Sequence, residues 1–132
     1  ETYGIMDIGG DDRGAYALGR YVPGILEENN YRMLFVANAS RPLTRTPEEA
    51  LEVMREIEAA CGLRFTCIVN NSNLGEETTA ETVLSSLDYA ADLSAATGLK
   101  LVATTVREEL YEELKGRIPH LFPLQLQQNK PF

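Results

Sequence analysis

Several functions need residues that this sequence has in short supply. It carries one histidine and two cysteines in 132 residues. The histidine, His120, stands alone among prolines and leucines, so no Ser-His-Asp set can be assembled. Cys61 and Cys67, with one distant histidine, give no zinc spacing. They read instead as free buried thiols, which suits a reducing cytoplasm. Basic charge is also scarce: 12 Lys and Arg against 20 Asp and Glu leave a net charge of −8. That disfavours nucleic acid, whose non-specific binding depends on cations neutralising phosphates. It disfavours anionic membrane surfaces for the same reason. No apolar run approaches the roughly 20 residues of a membrane span. No basic-then-apolar leader opens the chain. We therefore expect no nucleic-acid or membrane partner and a cytoplasmic location. Glu1 is not an initiator methionine, so the chain reads as a processed product or a piece of something longer.

What is present is an ordinary globular composition, 44% hydrophobic and 24% charged. The length suits one domain, 1–132, with a core that needs no disulfide. Short apolar runs alternate with helical stripes. Tyr3–Ile8 reads as a strand stopped by Gly9-Gly10. A helix is expected from about Asp12 to Tyr21, with Pro23-Gly24 breaking or kinking it. Tyr31–Ala37 is a second strand whose continuous apolar run predicts cover on both faces. Thr46-Pro47-Glu48-Glu49 is a capping box opening a helix that Gly62 ends. Phe65–Val69 is a third strand, about Thr79–Ala96 a helix ended by Gly98, Leu99–Thr105 a fourth strand, and Arg107–Lys115 a short helix. The tail 118–132, with Pro119, Pro123 and Pro131, should run extended over the body. The class is α/β: a mostly parallel, doubly wound sheet with helices on both faces, a three-layer Rossmann-like architecture present in part.

Ligands of open parallel sheets bind beyond the carboxyl ends of the strands. The residues there are polar throughout: Asp7, Gly9, Gly10 and Asp11; Asn38, Ser40 and Arg41; Asn70, Asn71 and Asn73; Thr104, Thr105 and Arg107. Asp7 has the Asp-x-x-Gly spacing of a carboxylate that holds Mg²⁺, directly or through water. Gly10 would let a backbone N–H approach a phosphate with no Cβ in the way, and Gly9 and Asp11 flank it. A helix-capping aspartate in a tight turn explains the same residues structurally. Asn70 and Asn71 could present amides to a purine edge, or bond their own backbone in a turn.

This order of features resembles the Walker B and later strands of MinD/ParA-like P-loop ATPases, a group that includes the CobQ/CobB type. The resemblance covers nearly the whole chain, as the second half of such a domain. It implies that Asp7 is the Mg²⁺-associated aspartate and Gly10 the switch glycine. It also implies that Asn70, in Cys67-Ile68-Val69-Asn70-Asn71, contacts the base. Asn71 stands where the family usually has a basic residue. The family's Gly-Lys-Thr or Gly-Lys-Ser loop is missing, since Lys100, Lys115 and Lys130 follow no Gly-x-x-x-x-Gly pattern. ATP and Mg²⁺ are therefore expected only for a longer protein, and this chain alone should not hydrolyse ATP. With the P-loop strand absent, either Tyr3–Asp7 pairs directly with Tyr31–Ala37 or an edge is left open, so we expect a homo-oligomer or closure of the gap. The alternative is a non-enzymatic interaction module that kept the fold and lost the nucleotide. A phospho-receiver domain fits poorly, because Asn38 and Asn70 stand where its aspartate should be.

Overall fold

The computed structural model describes residues 22–28, 31–73 and 77–125. The expected strand Tyr3–Ile8 and helix 12–21 lie outside them. The chain runs α1 (Val22–Glu28), β1 (Leu34–Ala37), a 3-10 turn (Pro42–Thr44), α2 (Pro47–Cys61), β2 (Cys67–Asn70), α3 (Ala80–Thr97), β3 (Lys100–Arg107), α4 (Glu108–Leu114) and β4 (Leu121–Leu124). Pro23 and Gly24, expected to break or kink the helix before them, are helical residues of α1 together with Ile25 and Leu26, and the residues before Val22 lie outside the described ones. The four strands form one sheet in the order β1-β2-β3-β4, with every pairing parallel. The expected α/β parallel sheet is thus present. The tail, expected only to run extended over the body, adds β4 to the edge of the sheet. Pro123 can sit there because an edge strand need not donate every N–H.

Local chemistry sets the helix limits. Thr46 accepts the Glu49 N–H at 3.1 Å, and Pro47 opens α2 where a missing N–H costs nothing. Gly62 closes α2 at φ 83°, and its N–H reaches the Glu58 carbonyl at 2.9 Å. Thr79 and Thr82 form a reciprocal capping box at the start of α3, and Gly98 ends that helix at φ 73°. The Glu58 carboxylate then fastens the turn into β2. It accepts the Phe65 N–H at 2.9 Å and pairs with Arg55 at 2.6 Å.

Strand register sorts the side chains. Phe35, Ala37, Ile68, Leu101, Val106 and Leu121 share the first face, and every strand residue packed in the two core clusters belongs to it. Ala50, Met54 and Ile57 of α2 and Tyr89, Ala90 and Leu93 of α3 cover its β1–β2 half. Val83 of α3, Leu114 of α4 and Ile118 cover Val106. The Phe35 and Phe65 rings meet edge-on, with centroids 5.1 Å apart. An irregularity between Ile68 and Val69 places Leu101 opposite the first and Ala103 opposite the second, leaving Val102 as an extra residue. Among the described residues no helix joins a cluster on the second face. Leu34 is 48% exposed and Val36 57%. The two-sided cover expected of that strand is therefore not found among the described residues.

Two residues give tests of this packing. Met54 is fully buried, so Met54→Ala should cost about 2–5 kcal/mol, read from urea unfolding. Tyr89 is buried and its hydroxyl has no hydrogen-bond partner. Burial pushes its pKa up to about 12; the nearby Thr44 hydroxyl lowers it in part and Glu49 adds to the rise. The Thr44 hydroxyl is itself committed to the Asn38 carbonyl at 2.7 Å. An unfolded tyrosine ionises near pH 10, so this contribution is intact below about pH 10 and is lost as pH rises toward 12. Tyr89→Phe should match or exceed the parent by about 1 kcal/mol at neutral pH. It should also lack that tyrosine-linked alkaline loss, as read from urea midpoints of both proteins across the range.

Candidate functional site

The carboxyl ends of β1, β2 and β3 bring three polar segments together on one edge of the sheet. A buried relay of hydrogen bonds crosses it. The Ala39 N–H donates to Ser72 Oγ at 2.9 Å, and Ser72 Oγ donates to Asn70 Oδ1 at 2.7 Å. Asn70 Nδ2 donates to Ser86 Oγ at 2.9 Å, and Ser86 Oγ donates to the Val83 carbonyl at 2.6 Å. The direction is fixed because Ser86 spends its proton on a carbonyl and must accept from the amide. Asn70 is fully buried, with its amide engaged at both ends. It ties α3 to the loop after β1 through the end of β2.

A second layer lies nearer the rim. Asn71 donates its backbone N–H to the Ala37 carbonyl at 2.8 Å, extending the ladder. Its side-chain oxygen accepts the Thr105 hydroxyl and, at 3.1 Å, the Asn73 amide. Asn38 donates to the Asn73 carbonyl at 3.3 Å and accepts the Ser40 N–H at 2.8 Å. Asn38, Ser40, Asn71, Asn73 and Thr105 are all half-buried. With its oxygen taken twice, the Asn71 side chain has its NH₂ left to offer a ligand.

The structure thus brings Asn38, Ser40, Asn70, Asn71, Asn73 and Thr105 together. Thr104 is elsewhere, buried on the helical face with its N–H on the His120 carbonyl at 3.1 Å. Arg41 is exposed beyond β1. Arg107 ends β3 and pairs with Glu109 at 2.7 Å, holding that carboxyl below its ordinary range. The phosphate and metal candidates Asp7, Gly9, Gly10 and Asp11 lie outside the described residues. Among the described residues there is no group of three or more His, Cys, Asp or Glu placed to hold a metal ion. No described helix is long and apolar enough to cross a membrane. The sequence reading missed Ser72 and Ser86. The available signal for Ser86 was its position three residues after Val83 on the inward stripe of a helix.

Comparison with protein-family models, curated proteins and solved structures returned no match.

The two asparagines should behave differently on substitution. Asn70→Ala leaves buried groups of Ser72 and Ser86 unpaired and should cost about 2–3 kcal/mol. Asn71→Ala sits at the half-buried rim and should cost about 1 kcal/mol or less. Equilibrium urea unfolding of both variants checks the ordering.

Proposed function

We propose that this chain is the base-facing portion of a nucleotide-binding domain of the MinD/ParA-like ATPase type, competent only when joined to a P-loop segment. The observation that carries the reading is the rim of amides at the carboxyl edge of an all-parallel sheet, where Asn71 keeps its NH₂ for a purine acceptor. The described edge suits a base better than a phosphate. It holds amides and hydroxyls, and its strand-end cations are Arg41, exposed, and Arg107, paired with Glu109. In this reading Asp7 holds Mg²⁺, which neutralises phosphate charge when bound, and Gly9, Gly10 and Asp11 approach the phosphates. Asn70 supports the base contact from beneath, and Asn71 makes it. The apolar second face favours one other reading, an interaction module that kept the fold and lost the nucleotide.

Titration calorimetry of ATP and GTP with Mg²⁺ separates these readings. It is to be run on the gene's full-length product and on its Asp7→Ala and Asn71→Ala variants. Loss of one base hydrogen bond should weaken binding about ten-fold in Asn71→Ala, and Asp7→Ala should abolish the Mg²⁺ dependence. Affinities unchanged in both variants would refute the nucleotide reading, and no binding at all by the parent would favour the interaction module.

A further inference from the structure

The bonds around Asn71 have a direction, and that direction carries a choice between purines. The Asn73 amide nitrogen donates to the Asn71 backbone carbonyl at 3.1 Å and to the Asn71 side-chain oxygen at 3.1 Å. Turning the Asn73 amide over would set its oxygen against that carbonyl, so the nitrogen stays where it is. The Asn71 side-chain atom that faces it is therefore the oxygen. The Thr105 hydroxyl closes on the same oxygen. Its one proton goes there, because the Asn70 carbonyl is farther off at 3.5 Å. A side-chain carbonyl has two lone pairs, and both are now used. Among the described residues the Asn71 NH₂ has no acceptor. At the half-buried rim Asn71 thus offers a ligand two protons and no lone pair.

We propose that Asn71 selects guanine over adenine, reading the base at O6 and N7. The proposal rests on reading this edge as the base-facing part of a nucleotide site, and it departs from the ATP that the resemblance implies. The two purines differ at the edge an amide reads. Guanine shows two acceptors there, O6 and N7, whereas adenine shows the N7 acceptor beside the N6 donor. An asparagine pairs with adenine by using both of its ends, the NH₂ on N7 and the oxygen under N6–H. Here the oxygen is spent, so the N6 protons would meet the Asn71 protons with no acceptor between them. Donors left unpaired away from water are costly. Guanine meets no such conflict. One nitrogen with two protons spans O6 and N7, as a lysine ammonium does when it reads guanine.

Asn70 does not restore the missing acceptor. Its oxygen takes the Ser72 hydroxyl and its NH₂ is given to Ser86, and the residue is fully buried. Thr105 is in this scheme a positioning residue. It stands on β3, in register with Asn70 through its neighbour Thr104, and acts on the base only by occupying the Asn71 oxygen. The choice of purine is thus set by a strand that makes no contact with it. Removing the Thr105 proton returns one lone pair to Asn71 and relaxes the choice.

Titration calorimetry of the gene's full-length product with the Mg²⁺ complexes of GTP, inosine triphosphate and ATP tests the assignment. Inosine keeps O6 and N7 but lacks the 2-amino group of guanine. GTP and inosine triphosphate should both bind about ten-fold or more tighter than ATP. In Thr105→Val the gap between GTP and ATP should narrow at least about three-fold. In Asn71→Asp, which puts an acceptor where the NH₂ stood, ATP should bind tighter than GTP. Both variants are read as ratios of affinities, so a loss of stability that weakens every nucleotide alike does not imitate the result, and Thr105→Val carries the test if Asn71→Asp does not fold. ATP binding as tightly as GTP overturns the proposal. Inosine triphosphate that binds no better than ATP overturns it too, because the 2-amino group is then what is read. So does a preference for GTP that both variants keep. Each of these leaves a nucleotide site standing and removes the choice of base alone, whereas a parent that binds none of the three removes both readings.

Discussion

The constraint on which the rest of this structure depends is the handedness of its crossovers. Four strands succeed one another across the sheet in chain order, all parallel. Right-handed connections then leave no choice of side for the helices between them. The core follows, because the first-face residues Phe35, Ala37, Ile68 and Val106 are the ones that α2, α3 and α4 can reach. So does the polar edge, because parallel strands deliver all their carboxyl ends to one place. The exposed aliphatic pair on β1 has the same origin. It belongs to a strand with a continuous apolar sequence whose described helices all lie on the opposite side.

The polar edge shows how a sheet of this kind accommodates amides near its core. A buried amide without partners would cost several kcal/mol. Asn70 avoids that by bonding Ser72 on one side and Ser86 on the other. The relay joins β2, α3 and the loop after β1, so the rim residues above it rest on a rigid base. Thr105 and Asn73 then hold the Asn71 oxygen from two directions. A group held in this way meets a ligand with little loss of rotamer freedom, which is the physical content of pre-organisation.

Much of this was legible in the residues. Thr46-Pro47 and Gly62 mark α2 within a residue, and Thr79 and Gly98 mark α3, because caps depend on short-range chemistry. The three apolar runs gave β1, β2 and β3 for the same reason, although β3 runs on past Thr105 to take in Val106 and Arg107. Cover was not legible. An apolar run such as Met33–Val36 says that a strand prefers burial and is silent on which side receives a helix. Nor was the inward turn of Asn70 legible. The residue lies at a strand end, where both a ligand contact and a buried strut are chemically reasonable, and the Ser86 hydroxyl that accepts its amide stands sixteen residues away. The tail read as a wrapping segment because its prolines argue against a central strand. Joining at an edge satisfies the same restriction. The acidic and glycine-rich start, from which a phosphate site was inferred, lies outside the described residues.

The extra residue at Val102 has a consequence for tolerance to change. Before it, odd-numbered positions of β3 such as Leu101 face the helices; after it, even-numbered ones such as Thr104 and Val106 do. The run 101–103 therefore works as a phase shift, and its length matters more than its chemistry. Replacing Val102 with another residue keeps the count. Deleting it would turn Thr104 and Val106 toward the second face and carry Thr105 away from Asn71. A one-residue deletion there would reach both the core and the polar rim, from a position that belongs to neither.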